Sequence, residues 1–295
     1  MKAIQKVGVL GTGQMGSGIA QVAAVAGFEV IARDLHQEQL SIGRKTIEQS
    51  LAKFVEKGKL AADARDAALK RLKFTTELED LATADLVIEA VTEDLELKNR
   101  QWTALDPICP VDTIFASNTS SLSIMAMATV TGRPERFIGL HFFNPVPLMP
   151  LVEVVRTIST TRDVLAAAND FVRRVGKEPI AAKDSAGFIV NRLLVPYMLD
   201  AVRAVEQGVA SVADIDAGMK LGCGHPMGPL TLLDFVGLDT ACKVGEILYE
   251  EFREARYAPS PLLKRMVLAG WYGKKSGKGF YDWTVNPPVP SELGL

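Results

Sequence analysis

Short apolar runs alternate with amphipathic segments through the N-terminal part of the chain. The isolated runs that predict strands are residues 6–10, 29–32, 86–89, 113–116 and 178–181. Helix-forming segments follow them, ending near residue 26 and covering residues 95–106 and 162–175. Because strands and helices that alternate in this way build a mostly parallel sheet with helices on both faces, we expect a doubly wound α/β fold.

Beyond residue 184 the strand-like runs disappear and only helical periodicity remains. The predicted helices are residues 188–208, 212–221, 230–236, 238–254 and 262–269, followed by a tail rich in glycine and lysine. We therefore expect two domains, an α/β domain over residues 1–183 and an all-helical domain over residues 184–295.

A long charged segment interrupts the α/β alternation at about residues 36–72. Ile47, Leu51 and Phe54 fall on one face of a helix there, whereas Lys53 and Lys57 fall elsewhere. Periodicity alone favours a solvated helical hairpin inserted into the first domain, with no function indicated.

The first predicted strand runs into a glycine-rich turn, Gly11-Thr12-Gly13-Gln14-Met15-Gly16, that opens a helix. Asp34 ends the second strand, at the place where a dinucleotide-binding Rossmann-like fold holds the ribose hydroxyls with an acid. We therefore predict NAD as the cofactor, since a carboxylate repels the 2′-phosphate of NADP. Arg33 beside Asp34 weakens that preference.

Residues 138–155, IGLHFFNPVPLMPLVEVV, place one imidazole and one carboxylate inside two apolar runs. The stretch is symmetric about Pro147, so an antiparallel pairing of its two arms brings His141 opposite Glu153. Such a pair can act as a general base with its orienting carboxylate. It can equally be a structural ion pair, and these residues alone do not decide between the two.

Polar side chains follow two other strands of the predicted sheet, where ligands of such folds bind. Glu93 and Lys98 follow one strand, and Ser117-Asn118-Thr119-Ser120-Ser121 follows the next. Small hydroxyl and amide groups suit a polar ligand. The alternative is that Ser120 or Ser121 only caps the helix that comes next.

Composition limits the class of partner. The chain has 295 residues, a net charge of −2 and a pI near 6.0, so it provides no basic field for nucleic acid or an anionic membrane surface. Its three cysteines and three histidines are scattered, and we expect neither a metal site nor a disulfide framework. Unpaired cysteines, and an N-terminal apolar run broken by glycines, favour a cytoplasmic protein.

Residues 188–205 form the most apolar long stretch, but Asn191, Arg192 and Pro196 interrupt it, which argues against a membrane-spanning helix. Its apolar side chains surround the predicted helix instead of forming one stripe. We therefore expect a two-fold interface made by the helical domain, and hence a homodimer.

Six motifs in this chain resemble those of the 3-hydroxyacyl-CoA dehydrogenase family, in its two-domain, single-function form. They are VGVLGTGQMGSGIAQVAA, FASNTSSLSI, GLHFFNPVPLMPLVEVV, KDSAGFIVNRLLVPYMLDAV, HPMGPLTLLDFVGLD and KKSGKGFYDW. The resemblance spans nearly the whole chain and implies reversible, NAD-dependent oxidation of a (3S)-3-hydroxyacyl-CoA, with a short acyl chain. A dehydrogenase of a free hydroxy acid and a non-catalytic NAD-binding protein are the alternatives.

The resemblance also implies roles for individual residues. It makes His141 the general base, Glu153 its partner, and Ser120 and Asn191 polar contacts of the reacting group. The cofactor residues that it implies are Gly11, Gly13, Gly16, Asp34, Glu93, Lys98, Ser120, Asn144 and Lys275. For coenzyme A it indicates Ser50 and Lys57, together with Ser120 and Asn191, which gives the helical insertion a function. A homodimer is implied as well.

Overall fold

The computed structural model describes residues 3–294 and divides the chain into two compact units, with the boundary between Phe188 and Ile189. The boundary expected near Asp184 lies a few residues before this point. No helix in the described part of the chain is both long enough and apolar enough to cross a membrane.

The first unit is built on a single eight-stranded sheet. Its strands are β1 (Lys6–Leu10), β2 (Glu29–Arg33), β3 (Leu72–Thr75), β4 (Leu86–Glu89), β5 (Ile114–Ser117), β6 (Phe137–Phe142), β7 (Leu151–Arg156) and β8 (Glu178–Lys183). They lie in the order β3-β2-β1-β4-β5-β6-β7-β8, and every neighbouring pair is parallel except β6 and β7. The predicted doubly wound, mostly parallel fold is confirmed.

Six helices accompany the sheet in this unit. They are α1 (Gln14–Val25), α2 (Gln37–Glu56), α3 (Ala62–Lys70), α4 (Leu95–Leu105), α5 (Ile124–Ala128) and α6 (Arg162–Arg174). The central strands are buried on both faces, since Val7 and Val9 on one face and Val87 on the other are fully inaccessible to solvent. Continuous apolar runs of this kind are typical of parallel strands that helices cover on both sides.

Two helices, α2 and α3, occupy the charged segment of residues 36–72, but its last residue begins a strand that the sequence did not predict. β3 is short and lies at the edge of the sheet, and its Lys73 is exposed. The residues around it therefore lack the apolar run that marks the buried strands.

The second unit is helical, as predicted. Its helices are α7 (Val190–Glu206), α8 (Val212–Cys223), α9 (Pro229–Val236), α10 (Leu238–Phe252) and α11 (Pro261–Leu268). The expectation that it contains helices only is wrong in one detail, because β9 (Tyr281–Asp282) and β10 (Val289–Pro290) form a small antiparallel ribbon. Strands of two residues are too short to produce a periodic pattern in the sequence.

Helix α7 packs against α9, α10 and α11, and its apolar residues are mostly covered in the folded chain. The buried members are Val195, Met198, Leu199, Ala201, Val202 and Val205, whereas Leu193 remains 65% exposed. The surplus apolar surface expected on this helix is therefore smaller than its sequence indicated.

Two buried carboxylates hold the C-terminal tail of the second unit. Asp234 accepts hydrogen bonds from the backbone N–H groups of Phe280 and Tyr281 and from the indole of Trp283, at 2.8–2.9 Å. Asp216 accepts one from the Tyr281 hydroxyl at 2.8 Å and also receives backbone N–H groups at the start of α9. Burial raises the pKa of Asp234 despite its hydrogen bonds. The motif KKSGKGFYDW thus contains anchoring groups for this tail.

Candidate active site

The glycine-rich turn between β1 and α1 has the backbone that a bound pyrophosphate requires. Gly11 has φ +91°, a left-handed value that favours glycine, and its N–H donates to the Arg33 carbonyl at 2.8 Å. A Cβ on Gly16 would lie 1.9 Å from the Gly11 carbonyl oxygen, whereas one on Gly13, the residue that precedes α1, would meet nothing within 4 Å. The turn therefore packs tightly on its inner side and leaves space at the helix N-terminus, which fits a dinucleotide.

Asp34 follows β2 and borders a cavity of about 260 Å³ that Gly11 and Gly13 also line. Its Oδ2 accepts hydrogen bonds from the Thr12 backbone N–H at 2.7 Å and the Thr12 hydroxyl at 3.0 Å. The neighbouring Arg33 donates to the Thr76 carbonyl at 3.1 Å. The cavity thus has a fixed carboxylate on its wall, as recognition of a ribose requires.

His141 and Glu153 face each other across the antiparallel pair β6 and β7, in the register expected from the symmetry about Pro147. His141 Nδ1 and Glu153 Oε2 lie 2.6 Å apart, and the Glu153 side chain is fully buried. A carboxylate at Nδ1 fixes the imidazole with that nitrogen as donor, which leaves Nε2 to accept a proton.

Two aromatic rings pack against the imidazole of His141, and the sequence did not single out either of them. The ring of Phe143 lies 4.4 Å from it and that of Phe188 lies 5.7 Å from it, between centroids. Phe188 has φ +46°, which is uncommon for a residue other than glycine and is often found at functional sites. In the sequence around Phe188, only the preceding glycine indicates an unusual backbone conformation.

Lys98 and Glu93, two predicted cofactor residues, meet in a buried polar network with Glu89. Lys98 Nζ lies 2.6 Å from Glu89 Oε1 and 3.3 Å from Glu93 Oε2, and both Lys98 and Glu89 are almost completely buried. Glu89 also accepts a hydrogen bond from the Ser117 hydroxyl at 2.6 Å. Glu89 was not predicted as a site residue, although a carboxylate ending an apolar strand nine residues before a lysine was the available signal.

Glu93 also gathers the serine-rich segment that follows β5. Its Oε1 accepts hydrogen bonds from the Thr119 hydroxyl at 2.5 Å, the Ser120 N–H at 3.1 Å and the Ser121 hydroxyl at 3.2 Å. Burial raises the pKa of Glu93, but the Lys98 charge and these hydrogen bonds outweigh it and leave the pKa below its usual value. Glu93 is therefore held as a carboxylate.

Helix α5 is capped by other residues than the two considered from the sequence. Ser123 is its N-cap and accepts from the Ala126 N–H at 3.2 Å, while Asp184 accepts from Ile124 and Met125. The interpretation of Ser120 or Ser121 as the cap is wrong, because the helix begins later. Ser120 instead stays beside Glu93.

Ser50, Lys57 and Asn144 line a second cavity of the first unit, about 320 Å³ in volume. Helix α1, helix α2 and the segment that joins β6 to β7 form its walls, and Lys53 and Lys59 add two further ammonium groups. The structure thus brings Ser50 and Lys57, two of the four predicted coenzyme A residues, to one cavity, with a basic rim that suits an anionic ligand.

Asn191 and Lys275 belong to the second unit. Asn191 lies in the first turn of α7, and Lys275 Nζ lies 2.7 Å from an Asp239 carboxylate oxygen. Their contacts with substrate and cofactor remain predictions. Among residues 3–294 no group of His, Cys, Asp and Glu side chains is arranged to hold a metal ion.

Comparison with known protein families accounts for almost the whole chain. Residues 6–185 match the model described as 3-hydroxyacyl-CoA dehydrogenase, NAD binding domain, and residues 187–283 match 3-hydroxyacyl-CoA dehydrogenase, C-terminal domain. The chain belongs to the 3-hydroxyacyl-CoA dehydrogenase family. As a 3-hydroxyacyl-CoA dehydrogenase it is an NAD-dependent oxidoreductase, so the predicted family, enzyme class and cofactor are confirmed.

Individual relatives are similar over nearly their full length. The 3-hydroxybutyryl-CoA dehydrogenase of Mycobacterium tuberculosis is 50% identical over 283 residues, covering 95% of this chain and 99% of the relative. That of Bradyrhizobium diazoefficiens is 46% identical and covers 98% of each chain. The crystal structure of (S)-3-hydroxybutyryl-CoA dehydrogenase from Ralstonia eutropha has a TM-score of 0.93 at 45% identity, covering 95% of this 3-hydroxyacyl-CoA dehydrogenase and 99% of that one.

Proposed function

We propose that this protein reversibly oxidises a short-chain (3S)-3-hydroxyacyl-CoA, such as 3-hydroxybutyryl-CoA, to the 3-oxoacyl-CoA. The observation that carries the proposal is the 2.6 Å contact between His141 Nδ1 and Glu153 Oε2 in the NAD-binding unit. The relatives named as 3-hydroxybutyryl-CoA dehydrogenases support the short acyl chain.

NAD, held by the glycine turn and Asp34, would supply the acceptor for the hydride from C3 of the substrate. His141 removes the proton of the C3 hydroxyl through Nε2, and the Glu153 carboxylate stabilises the imidazolium that results. Ser120 and Asn191 provide polar contacts to the reacting group, as the family resemblance implies. In the reverse direction the imidazolium returns its proton to the oxygen at C3.

The cofactor is proposed to lie along the carboxyl ends of the parallel strands. Gly11, Gly13 and Gly16 form the pyrophosphate turn, and Asp34 accepts the ribose hydroxyls. The other residues proposed for NAD are Glu93, Lys98, Ser120, Asn144 and Lys275. Because Lys98 is about 1% exposed and paired with two carboxylates, its proposed action is to hold Glu93 in place.

Coenzyme A is proposed to occupy the 320 Å³ cavity between α1 and α2. The Ser50 side chain lines this cavity, and the exposed ammonium group of Lys57 is proposed to bind a phosphate of coenzyme A. This assignment gives the helical insertion the role of binding coenzyme A. A dehydrogenase of free hydroxy acids would not need such a site.

An assay with acetoacetyl-CoA and NADH tests the function. We expect turnover with the thioester and little with acetoacetate, which has no coenzyme A. General base catalysis is worth about 10²–10⁴-fold, so His141→Gln should lower kcat by at least that order while NADH affinity stays near that of the wild type. Undiminished turnover by this variant would refute the assignment of the base.

A homodimer formed by the helical unit is part of the proposal. Exposed apolar side chains in that unit support it, including Leu193, Val209, Leu221 and Leu268. We also propose a cytoplasmic location, since reducing compartments preserve free thiols such as those of Cys109, Cys223 and Cys242.

A further inference from the structure

The segment that joins β6 to β7, residues 143–150, is here called the hairpin loop. Residues 144–148 of this loop line the cavity assigned to coenzyme A. Leu148 and Met149 are exposed, whereas Val146 is buried at 2% exposure. The loop therefore forms a wall of the cavity and has its other face in solvent. Contacts with the rest of the unit must fix its conformation.

The side chain of Lys177, the residue before β8, contacts the hairpin loop. Its Nζ donates hydrogen bonds to the carbonyl oxygens of Val146 and Met149, both at 2.7 Å, and its side chain is about nine-tenths buried. Burial lowers the pKa of Lys177, with no opposing effect from a carboxylate. A buried ammonium held only by two carbonyls is costly, because a cation prefers water or a carboxylate partner.

Two further contacts fix the same loop. The Glu178 N–H donates to the Pro150 carbonyl at 2.7 Å. On the other side, Val146 packs against α1, where a Cβ added to Gly18 would lie 2.7 Å from the Val146 Cβ. The loop is thus clamped between the helix of the dinucleotide site and the start of β8, and Lys177 is the charged member of this clamp.

We propose that Lys177 is a positioning residue for the acyl-CoA substrate, holding the hairpin loop in the shape that forms the wall of the coenzyme A cavity. Lys177 acts through the loop and makes no contact with the reacting atoms. This inference rests on the proposed function, because it needs coenzyme A in that cavity. The two hydrogen bonds of Lys177 end on carbonyls of the hairpin loop, and neither involves the glycine turn or the pair of His141 and Glu153 directly.

The test compares Lys177→Met, Lys177→Arg and Lys183→Met. Met keeps the apolar stem but removes the donors, Arg keeps the charge, and Lys183 is an exposed lysine at the other end of β8. Each variant is assayed with acetoacetyl-CoA and with the truncated thioester acetoacetyl-N-acetylcysteamine, which lacks the nucleotide and most of the pantetheine.

We expect Lys177→Met to raise KM for acetoacetyl-CoA by about tenfold or more, the effect of losing one to two charge-assisted hydrogen bonds. The kcat and the kinetics with the truncated thioester should change by less than about threefold. Lys177→Arg should recover part of the loss, and Lys183→Met should match the wild type.

Hydrogen exchange provides a readout that does not depend on activity. The Leu148 and Met149 N–H groups both donate to the Pro145 carbonyl inside the loop. In Lys177→Met these two amides should exchange faster, while amides of β7 keep their wild-type rates. Faster exchange throughout β7 and β8 would overturn the proposal, because Lys177 would then support the sheet as a whole.

Equal losses with the full and truncated thioesters, or kinetics of Lys177→Met equal to those of Lys183→Met, would also overturn it. If Lys177→Met does not fold, Lys177→Arg decides, since its longer planar head should misplace the loop and raise the same KM selectively. A wild type inactive on acetoacetyl-CoA would refute the proposed function and the substrate role together. The exchange rates would then show separately whether Lys177 anchors the loop.

Discussion

At the scale of single residues, the environment of Glu153 determines what His141 can do. The carboxylate is fully buried and lies 2.6 Å from the imidazole Nδ1. This contact fixes the ring. The pair therefore acts as one unit, and removing the charge of Glu153 should lower the rate.

Glu153→Gln should lower kcat by about 10²-fold or more, since the base loses both its orientation and the charge that stabilises its protonated form. Steady-state kinetics of the purified variant would show this. Glu178→Gln, an exposed change in β8, is the control, and an unchanged kcat in Glu153→Gln would mean that the two residues are uncoupled.

Asp34 should determine the choice between NAD and NADP. Asp34→Ser is expected to lower kcat/KM with NAD by about 10- to 100-fold, the value of hydrogen bonds to a charged group. It should raise kcat/KM with NADP because the repulsion of the 2′-phosphate is removed. The exposed Asp63→Ser in α3 is the matched control. A wild type that uses both cofactors equally would contradict this explanation.

Pairs of site residues were predictable where the chain connects them locally. Asp34 ends the strand after the glycine turn, and the symmetry about Pro147 aligns His141 with Glu153. Phe188 and Lys177 were not found, because their contacts join segments that are distant along the chain. Glu89 was missed although Lys98, its partner, follows only nine residues later. Packing of the whole unit, and not local periodicity, brings Lys177 to the hairpin loop.

At the scale of elements, Arg133 ties the end of α4 to the sheet. Its Nε lies 2.6 Å from Asp106 Oδ1, its other nitrogens donate to the carbonyls of Asp106, Cys109 and Pro110, and its guanidinium stacks over the Phe115 ring. The side chain is only 8% exposed. Four backbone and side-chain acceptors therefore depend on one cation.

Arg133→Met should lower the free energy of unfolding by about 3–5 kcal/mol, the cost of breaking a buried ion pair. Arg100→Met, within α4, removes only an exposed pair with Glu96 and should cost at most about 0.5 kcal/mol. Urea unfolding of both variants measures the difference. Similar losses in the two would show that burial adds nothing to the Arg133 contacts.

Element boundaries were predictable wherever apolar runs are buried on both faces. β1 and β4 agree with their predicted ranges, since β4 and all of β1 after Lys6 are continuous runs of buried residues. β3 was missed because only Thr75 of its four residues is buried. Edge strands need little apolar surface, so periodicity does not reveal them.

At the scale of the whole molecule, assembly remains to be tested. Met198 and Val202 of α7 are buried, so charges there would report on folding. Leu193 is 65% exposed on the same helix. Leu193→Glu should therefore convert a dimer to monomers at micromolar concentration, measured by sedimentation velocity. Ile158→Glu, at an exposed site of the first unit, should remain dimeric, and a monomeric wild type would end the proposal.

The reversal of chain direction at β7 has a consequence for how the enzyme folds. His141 and Glu153 are 12 residues apart along the chain. By contrast, the hydrogen bond from the Lys6 N–H to Asp85, which connects β1 to the residue before β4, joins residues that are 79 positions apart. The entropy lost on closing a chain segment grows with its length, so the shorter loop closes at lower cost. Contacts between near neighbours also form faster than those between distant segments. The proton-transfer pair can therefore assemble as a local nucleus before the nucleotide-binding half of the sheet has found its order.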